Sequence, residues 1–524
     1  MSAIRRLLPY ALAVAALALT SPVQAARVAR DHETWITIER SVAEKAQAAY
    51  AATGRDPLVL EGDGNVVVAQ IRESDVPFLS EVLHKQLHHC GGFMGHSSRD
   101  AAFDEAFRAN RPDSERLTSG PPSGYTIDNG PVAQALVANV QEINVRNNII
   151  TLSNFFTRYH NCPSGAQSAT AIRDQWLALA NGRPDVTAQL FTHTGYTTLQ
   201  PSVILTIQGT TLPNEVVVLG AHQDSIAGSN CSTSRAPGAD DDGSGIASIT
   251  EVLRAAMALG YHPQRTVKFM GYAAEEIGLR GSAQIAASFA NANPRVNVVG
   301  VLHFDMTNYT TSSSDIYLIN DNTNAAQNAF VASLVDTYLP GITRSTTVCQ
   351  YKCSDHASWN DQGYPASLPF EAYFQPPPPS SGDNPFIHSS QDTIQQSGNT
   401  ANHAIKFTRL GAAYLAEAAK GGFNNQAPLA AAGPDQLVRS ISVVTLDGRG
   451  SSDPEGAPLT YSWTQISGPS VVINGANTSV AHFRPRPLDA VYVLRLTVSD
   501  GLAQATDDVR VTVARQDVDQ ALVR

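Results

Sequence analysis

The spacing of hydrophobic positions changes three times along this chain. Between about 26 and 120, an amphipathic stretch ("ERSVAEKAQAAYAA") and a strand-like one ("NVVVAQI") precede the breaker-rich "TSGPPSGYTIDNG". This predicts a small separate α+β unit ending in an exposed tail. From about 125 to 422, helical sequence ("GPVAQALVANVQEIN", "GAQSATAIRDQWLALANG") gives way to near-continuous apolar runs, "EVVVLGAH", "TVKFMGYAA" and "VVGVLHFDM", each followed by a loop. Such strands alternating with helices predict an α/β unit: a mixed, largely parallel sheet sandwiched by helices, whose ligands collect at the carboxyl ends of the strands. Past Phe423 the helical spacing disappears. Short β-branched and aromatic strands between Gly, Asp and Pro turns predict a β-sandwich of about 80 residues.

The N-terminus adds a fourth segment. Arg5 and Arg6 are followed by an apolar run from Leu7 to Leu19 and by small residues ending in Val23-Gln24-Ala25. That is the pattern of a secretory signal cleaved after Ala25, and the run is shorter than the ~20 residues a membrane span needs. The expected organisation is a signal peptide over 1–25, a unit over 26–120, an α/β unit over 121–422, a linker over 423–432 and a sandwich over 433–515. Because the second segment lies between a signal peptide and the richest chemistry, it is expected to be a prosegment. The alternative is an N-terminal domain that stays attached.

Composition narrows the partners. The 524 residues are 43% hydrophobic and 16% charged, with 36 basic against 47 acidic side chains and a net charge of -11. An acidic chain without basic clusters excludes nucleic acid as the expected partner, because phosphate binding draws on clustered Lys and Arg. Five cysteines in an exported protein should mostly pair. Cys349 and Cys353 can close a tight loop, Cys162 and Cys231 both lie in Ser/Gly/Pro-rich loop sequence, and Cys90 is left over. Loss of Cys90 in a removed segment would give the mature chain an even count.

The chemistry concentrates where strands end. In "GAHQDS", His222 and Asp224 point to the same side of an extended strand, as an imidazole and the carboxylate that orients it would. "PGADDDGSG" places Asp240, Asp241 and Asp242 in a row. Its spacing through Glu251 matches positions 1, 3, 5, 6, 9 and 12 of an EF-hand calcium loop. That reading fails on context. Loop sequence precedes Asp240, and Ile246, Ile249, Val252, Leu253 and Met257 recur at helical spacing, so a helix starts near Gly245 with Ser244 as candidate cap. "AAEEIGLRGS" follows a strand with Glu275 and Glu276. Adjacent residues face different directions, so one can ligate while the other serves as general base. Asp305 ends another strand and His388 follows a proline-rich loop. Two His with several carboxylates and no cysteine ligand suit zinc in a catalytic site.

The motifs "HQDS", "APGADDDGSG", "AAEEIGLRGS", "DMTNY", "CSDHASW", "YPA", "PFE" and "IHSSQDT" occur in the order found in secreted bacterial leucyl aminopeptidases, and residues 125–420 resemble that co-catalytic di-zinc family of exopeptidases. The resemblance implies two Zn2+ per chain: one held by His222 and Asp305, the other by Glu276 and His388, with Asp241 bridging. It implies Glu275 as general base, Asp224 supporting His222, and Tyr351 as donor to the oxyanion on a loop closed by Cys349 and Cys353. It implies a cis peptide between Asp241 and Asp242, and an apolar pocket from Met306, Ile319, Leu368, Phe370 and Ile387. Gln223 stands where the family more usually has Leu, and should point away from the metals. Lys352 and the insertion "QPPPPSSGDN" depart from the pattern and are expected to alter the rim. The stretch 433–515 resembles the PKD family of immunoglobulin-like modules, which would bind polymer or protein surfaces. Residues 26–120, including "HHCGGF", are similar to the prosegments of the same peptidases, which act in folding or inhibition.

The expected protein is a secreted, monomeric zinc aminopeptidase made as a proenzyme, without stable membrane insertion, releasing large apolar N-terminal residues such as Leu from peptides. The rivals are a glutaminyl cyclase-like relative, a carboxypeptidase of the same clan, and an inert surface-binding protein. The last predicts a broken ligand set, whereas all five expected ligands and Glu275 are present.

Overall fold

The computed structural model describes residues 33–86, 92–96, 98–111, 125–374, 384–423, 426–439, 443–454, 458–486, 489–501 and 503–514. The expected signal peptide, Cys90 and the proline-rich insertion, except its last residue Asn384, lie outside them.

The central sheet of the α/β unit runs, edge to edge, Ala366–Ser367, Asn297–His303, Leu212–His222, Arg265–Tyr272, Ser202–Ile207 and Val186–Phe191. The first four are mutually parallel, and Ser202–Ile207 runs antiparallel to both of its neighbours, so the sheet is mixed and largely parallel, as its apolar runs predict. Its inner strands are buried on both faces. Val217, Leu219, Val267 and Phe269 meet one helical layer, which includes Gly243–Ala258 and Ala404–Ala419, while Val218, Met270 and Val301 meet the other, with Ile285 and Trp359.

Register decides where the chemistry falls. Gly220 is level with His303 and Met270, and His222 with Tyr272. Three parallel strands therefore end together, and the residues just beyond them, His222, Glu275 with Glu276, and Asp305, converge at one edge.

Residues 33–111 form a four-stranded antiparallel sheet in the order Val59–Glu61, Val66–Arg72, Glu33–Glu39 and Phe93–His96. Helices Arg40–Ala52 and Val76–Gln86 share a core with one face, and helix Arg99–Ala109 covers the other. The unit is α+β but not separate. Its main core, around Ile36, Leu79 and Phe93, is completed by Tyr159, Cys162, Ile226, Ala274 and Ile277 of the α/β unit. The sequence pattern misses this because Ala274 and Ile277 flank the glutamate pair and read there as loop.

The C-terminal region is a sandwich of a four-stranded sheet (Gln436–Arg439, Gln504–Ala514, Ala490–Ser499, Thr460–Ser467) and a three-stranded one (Val444–Asp447, Val480–Phe483, Ile473–Asn474). In Ala490–Ser499 the even positions Tyr492, Leu494, Leu496 and Val498 are buried, the alternation of a strand with one wet face. Ala432 is buried in this core and its N–H donates to Asp507 Oδ2 at 2.7 Å, so the sandwich begins within the expected linker.

Disulfides join Cys162 to Cys231 and Cys349 to Cys353. Near the first, Arg158 is fully buried and donates Nε to Gln223 O (2.9 Å), Nη1 to Leu152 O (3.3 Å) and Pro237 O (2.5 Å), and Nη2 to Gly238 O (2.8 Å). One guanidinium thus ties the end of the His222 strand to the loop carrying the three aspartates. Arg158→Met should destabilise the fold by about 3–5 kcal/mol, because buried carbonyls are left without donors. A shift of the urea unfolding curve measures this, and a loss under ~1 kcal/mol would show that water replaces the guanidinium.

Candidate active site

Helix Gly243–Ala258 starts two residues earlier than its apolar spacing predicts, and the cap is Asp242, not Ser244. Asp242 Oδ1 accepts from Gly245 N at 2.8 Å and Met306 N at 3.3 Å, and Oδ2 accepts from His222 N at 3.1 Å. Ser244 Oγ instead donates to Asp240 O at 2.8 Å and accepts from Thr307 N at 2.9 Å. A Cβ at residue 245 would lie 2.5 Å from the Asp242 carboxylate, so only Gly permits this cap. The peptide between Asp241 and Asp242 is cis.

With its neighbour fastened, Asp241 projects between two imidazoles. Oδ1 is 2.9 Å from His222 Nε2 and Oδ2 is 2.9 Å from His388 Nε2. His222 Nε2 also lies 3.5 Å from Asp305 Oδ1, and His388 Nε2 lies 3.3 Å from Glu276 Oε2. The five side chains form two triads, each an imidazole, a carboxylate and one oxygen of Asp241. Ligand atoms of His222, Asp241 and Glu276 fall within 4.8 Å of one another, as do those of His222, Asp242 and Asp305. Asp242 is the weaker candidate, since backbone N–H groups already occupy both its oxygens.

Asp224 holds two segments. Its Oδ1 is 3.4 Å from His222 Nδ1, and the carboxylate accepts from Glu275 N at 3.1 Å and Glu276 N at 3.3 Å. Gln223 turns away, donating Nε2 to Pro201 O at 2.7 Å and Gly271 O at 3.2 Å. Ala274, Met306 and His388 have φ of 58°, 61° and 53°. Left-handed backbone at non-glycine residues is costly and gathers at constrained sites.

The electrostatics call for cations. Burial pushes Glu275 well above its usual range and Glu276 up to about 7, with neighbouring carboxylates adding to both. Burial would lower the His222 pKa, but Asp305, Asp224 and Asp241 around it raise it well above the ordinary value. Asp305 Oδ1 and Glu275 Oε1 are buried without a hydrogen-bond donor. Converging carboxylates with two imidazoles and no thiolate fit a divalent metal of borderline hardness, which would take the place of the proton on His222.

Beside this cluster Met306, Ile319, Leu368 and Phe370, with Ile387 packed against them, share one apolar group with Cys349, Tyr351, Cys353 and Phe374. Tyr351 is 4% exposed, its ring 6.0 Å from that of Phe374. Its loop is held by the disulfide and by Asp321, which accepts from Cys349 N at 2.9 Å and Gln350 N at 2.6 Å. Lys352, expected at the rim, is turned away and pairs with Asp361 at 2.6 Å and with Glu105 of the N-terminal unit.

Residues that sequence reasoning passed over build the support. Asp392 accepts from Asp240 N at 3.1 Å and from Asp241 N at 3.1 Å. Burial, with Asp240 and Asp241 nearby, pushes the Asp392 carboxyl up to about 8. Asp240 is engaged by other residues: it accepts from Asn308 N and Asn384 Nδ2, both at 2.9 Å. Only the position of Asp392, four residues past His388 in a quoted motif, could have singled it out.

Comparison with known proteins agrees with this geometry. Residues 202–413 match the model of peptidase family M28, and residues 432–513 match that of a PKD domain family. The chain is 35% identical over 309 residues to leucine aminopeptidase 1 of Arthroderma otae, covering 56% of this chain and 79% of that protein. It is 30% identical over 342 residues to a probable aminopeptidase of Saccharomyces cerevisiae, covering 63% and 86%. Both sequence relatives are fungal. The crystal structure of Legionella pneumophila LapA aminopeptidase superposes with a TM-score of 0.62 at 24% identity over 74% of this chain and 99% of that one, a likeness of fold. LapB from the same organism gives 0.60 at 24%, over 74% and 100%. Among the described residues no helix is long and apolar enough to cross a membrane. Sequence relatives matched over most of their length and a strand-end cluster built for metal lead to one conclusion: the chain belongs to peptidase family M28 and is a metallo-aminopeptidase.

Proposed function

We propose that the chain is a secreted, two-zinc aminopeptidase made as a proenzyme, releasing large apolar N-terminal residues such as Leu. The observation that carries the two-metal reading is Asp241, whose oxygens each face a different imidazole at 2.9 Å. His222, Asp305 and Asp241 Oδ1 would hold one zinc, and His388, Glu276 and Asp241 Oδ2 the other. Bound there, the metal supplies Lewis acidity, making water nucleophilic near neutral pH and polarising the scissile carbonyl.

The remaining steps belong to the chain. Glu275, held by Asp224 through its backbone N–H, takes one proton from the attacking water. It returns that proton to the leaving amine as the C–N bond breaks. Tyr351 donates its hydroxyl to the oxyanion that develops on the carbonyl. The Met306–Ile319–Leu368–Phe370–Ile387 cluster receives the first side chain, and an apolar wall of that breadth favours Leu over a small or charged residue. The free amino terminus docks beside the acidic cluster, which favours exopeptidase action.

Latency is supported by the seat of the N-terminal unit. Ser80 Oγ donates to Glu276 O at 2.5 Å, and Gly95 N to Gly278 O at 3.0 Å. Arg280 Nη1 donates to Glu73 Oε1 at 2.6 Å. The five expected ligands are at most 9% exposed in side chain, and a small cleft between Phe78 and Glu81 on one side and Ile226–Ser229 on the other reaches His388. The PKD module would bind a polymer or protein surface, and the enzyme would work as a monomer.

Glu275→Gln should keep two zincs per chain by elemental analysis while leucyl anilide hydrolysis falls about 10²–10⁴-fold. Full activity would refute the base, and one zinc per chain the two-metal reading. Cleaving the chain between residues 112 and 124 should raise leucyl anilide turnover, provided the N-terminal unit leaves. Unchanged turnover after its confirmed departure would refute latency.

A further inference from the structure

A cavity of about 270 Å³ lies between the N-terminal unit and helix Arg280–Ala290, away from the metal cluster. Gly95, His96 and Glu105 form one wall, and Tyr196, Arg280 and Gln284 another. Arg280 is 3% exposed, and its guanidinium lies 5.0 Å over the Tyr196 ring. One end, Nη1, donates to Glu73. The side-on edge, Nε with Nη2, has no acceptor, and neither has the Tyr196 hydroxyl. Buried donors without acceptors are costly, and that edge is the planar fork that matches a carboxylate or phosphate. A Cβ on residue 95 would lie 2.5 Å from Arg280 Nε, so it is glycine that leaves the fork edge clear.

The acids nearby do not meet this need. Glu105 is taken by Lys352 and, at 3.1 Å, by Arg108, and Asp104 is exposed at the rim. Burial pulls the His96 pKa down to about 4, so its ring adds no charge near neutral pH. Glu73 Oε2 is unpartnered as well, but its carboxylate is engaged at Nη1, so the Nε–Nη2 edge and the Tyr196 hydroxyl are left for a ligand that brings acceptors.

We propose that this cavity binds a small oxyanion, a carboxylate or phosphate, on the Nε–Nη2 fork of Arg280 and the hydroxyl of Tyr196. Both units supply its walls, so the bound anion stabilises their docked state.

The test uses the intact, metal-loaded chain, titrated separately with inorganic phosphate and with acetate at constant ionic strength against chloride. Calorimetry should show saturable binding of at least one anion, with a rise in thermal midpoint. Phosphate alone would indicate phosphate esters, and acetate alone carboxylates. Tyr196→Phe keeps the ring beneath Arg280 and should weaken binding about tenfold by removing one charge-assisted hydrogen bond. Gly95→Ala should abolish it. The proposal is overturned by a response no different from chloride, or by binding unchanged in both variants, which would place the anion on the metals. A crystal structure with Glu73 spread across the fork would also overturn it, since its Oε2 is unpartnered too.

Discussion

Three backbone N–H groups, from the end of one strand, the first turn of a helix and the loop after a second strand, meet on the carboxylate of Asp242. The rest of the site depends on this junction. Asp242 cannot rotate without releasing His222, Gly245 or Met306, so the carboxylate before it is presented to the imidazoles in one orientation. Carboxylates packed this closely repel by about 4 kcal/mol per pair at the effective dielectric of a protein surface. The fold opposes that with the Arg158 guanidinium, which lies among Asp392, Asp242, Asp224 and Asp241 while its hydrogen bonds go to backbone carbonyls. It lowers the local negative potential without occupying an oxygen that a metal needs.

This division of labour separates the acids. Asp242, Asp224 and Asp392 spend their oxygens on backbone N–H groups, whereas Asp305 and Glu275 keep one free. Acids of the first kind fix geometry, and those of the second are available to a cation or a proton. Burial raises Glu275, and His222 nearby offsets this only in part. A metal beside it would supply that compensation and leave it ionised, as a base must be.

The strand-end residues were legible because each interrupts a continuous apolar run, where a charged side chain is conspicuous. Helix periodicity likewise revealed that the three aspartates precede a helix. It put the start two residues late, because the first turn, Gly243 to Gly245, is glycine and serine and carries no periodic signal. Arg158 and Asp392 were not legible. Each acts across the fold, as Asp392 does on Asp240 at a separation of 152 residues, and the one local hint is that Asp392 lies four residues past His388. Lys352 misled for the converse reason. Its place between two cysteines suggested the rim, but its partner Glu105 lies 247 residues away and draws it to the opposite side of the loop.

The same ion pairs decide how independent the α/β unit is. Two of its cations, Lys352 and Arg280, reach into the N-terminal unit, and they would fare differently without it. Lys352 keeps Asp361 as a partner, so one cation and one anion would remain. Among the described residues Arg280 pairs with Glu73 alone, and it sits in the first turn of its helix, where the dipole disfavours positive charge. Departure of the unit removes both that counterion and much of the cover over the guanidinium, which water would then have to solvate. Arg280 follows the glutamate pair by four residues, and its N–H donates to Ala274 O. The glutamate loop is therefore coupled directly to the N-terminal unit, and loss of that unit would change the surroundings of Glu275 and Glu276. An inhibitory prosegment need only cover this site, whereas one that also supplies the counterion of Arg280 assists in building it.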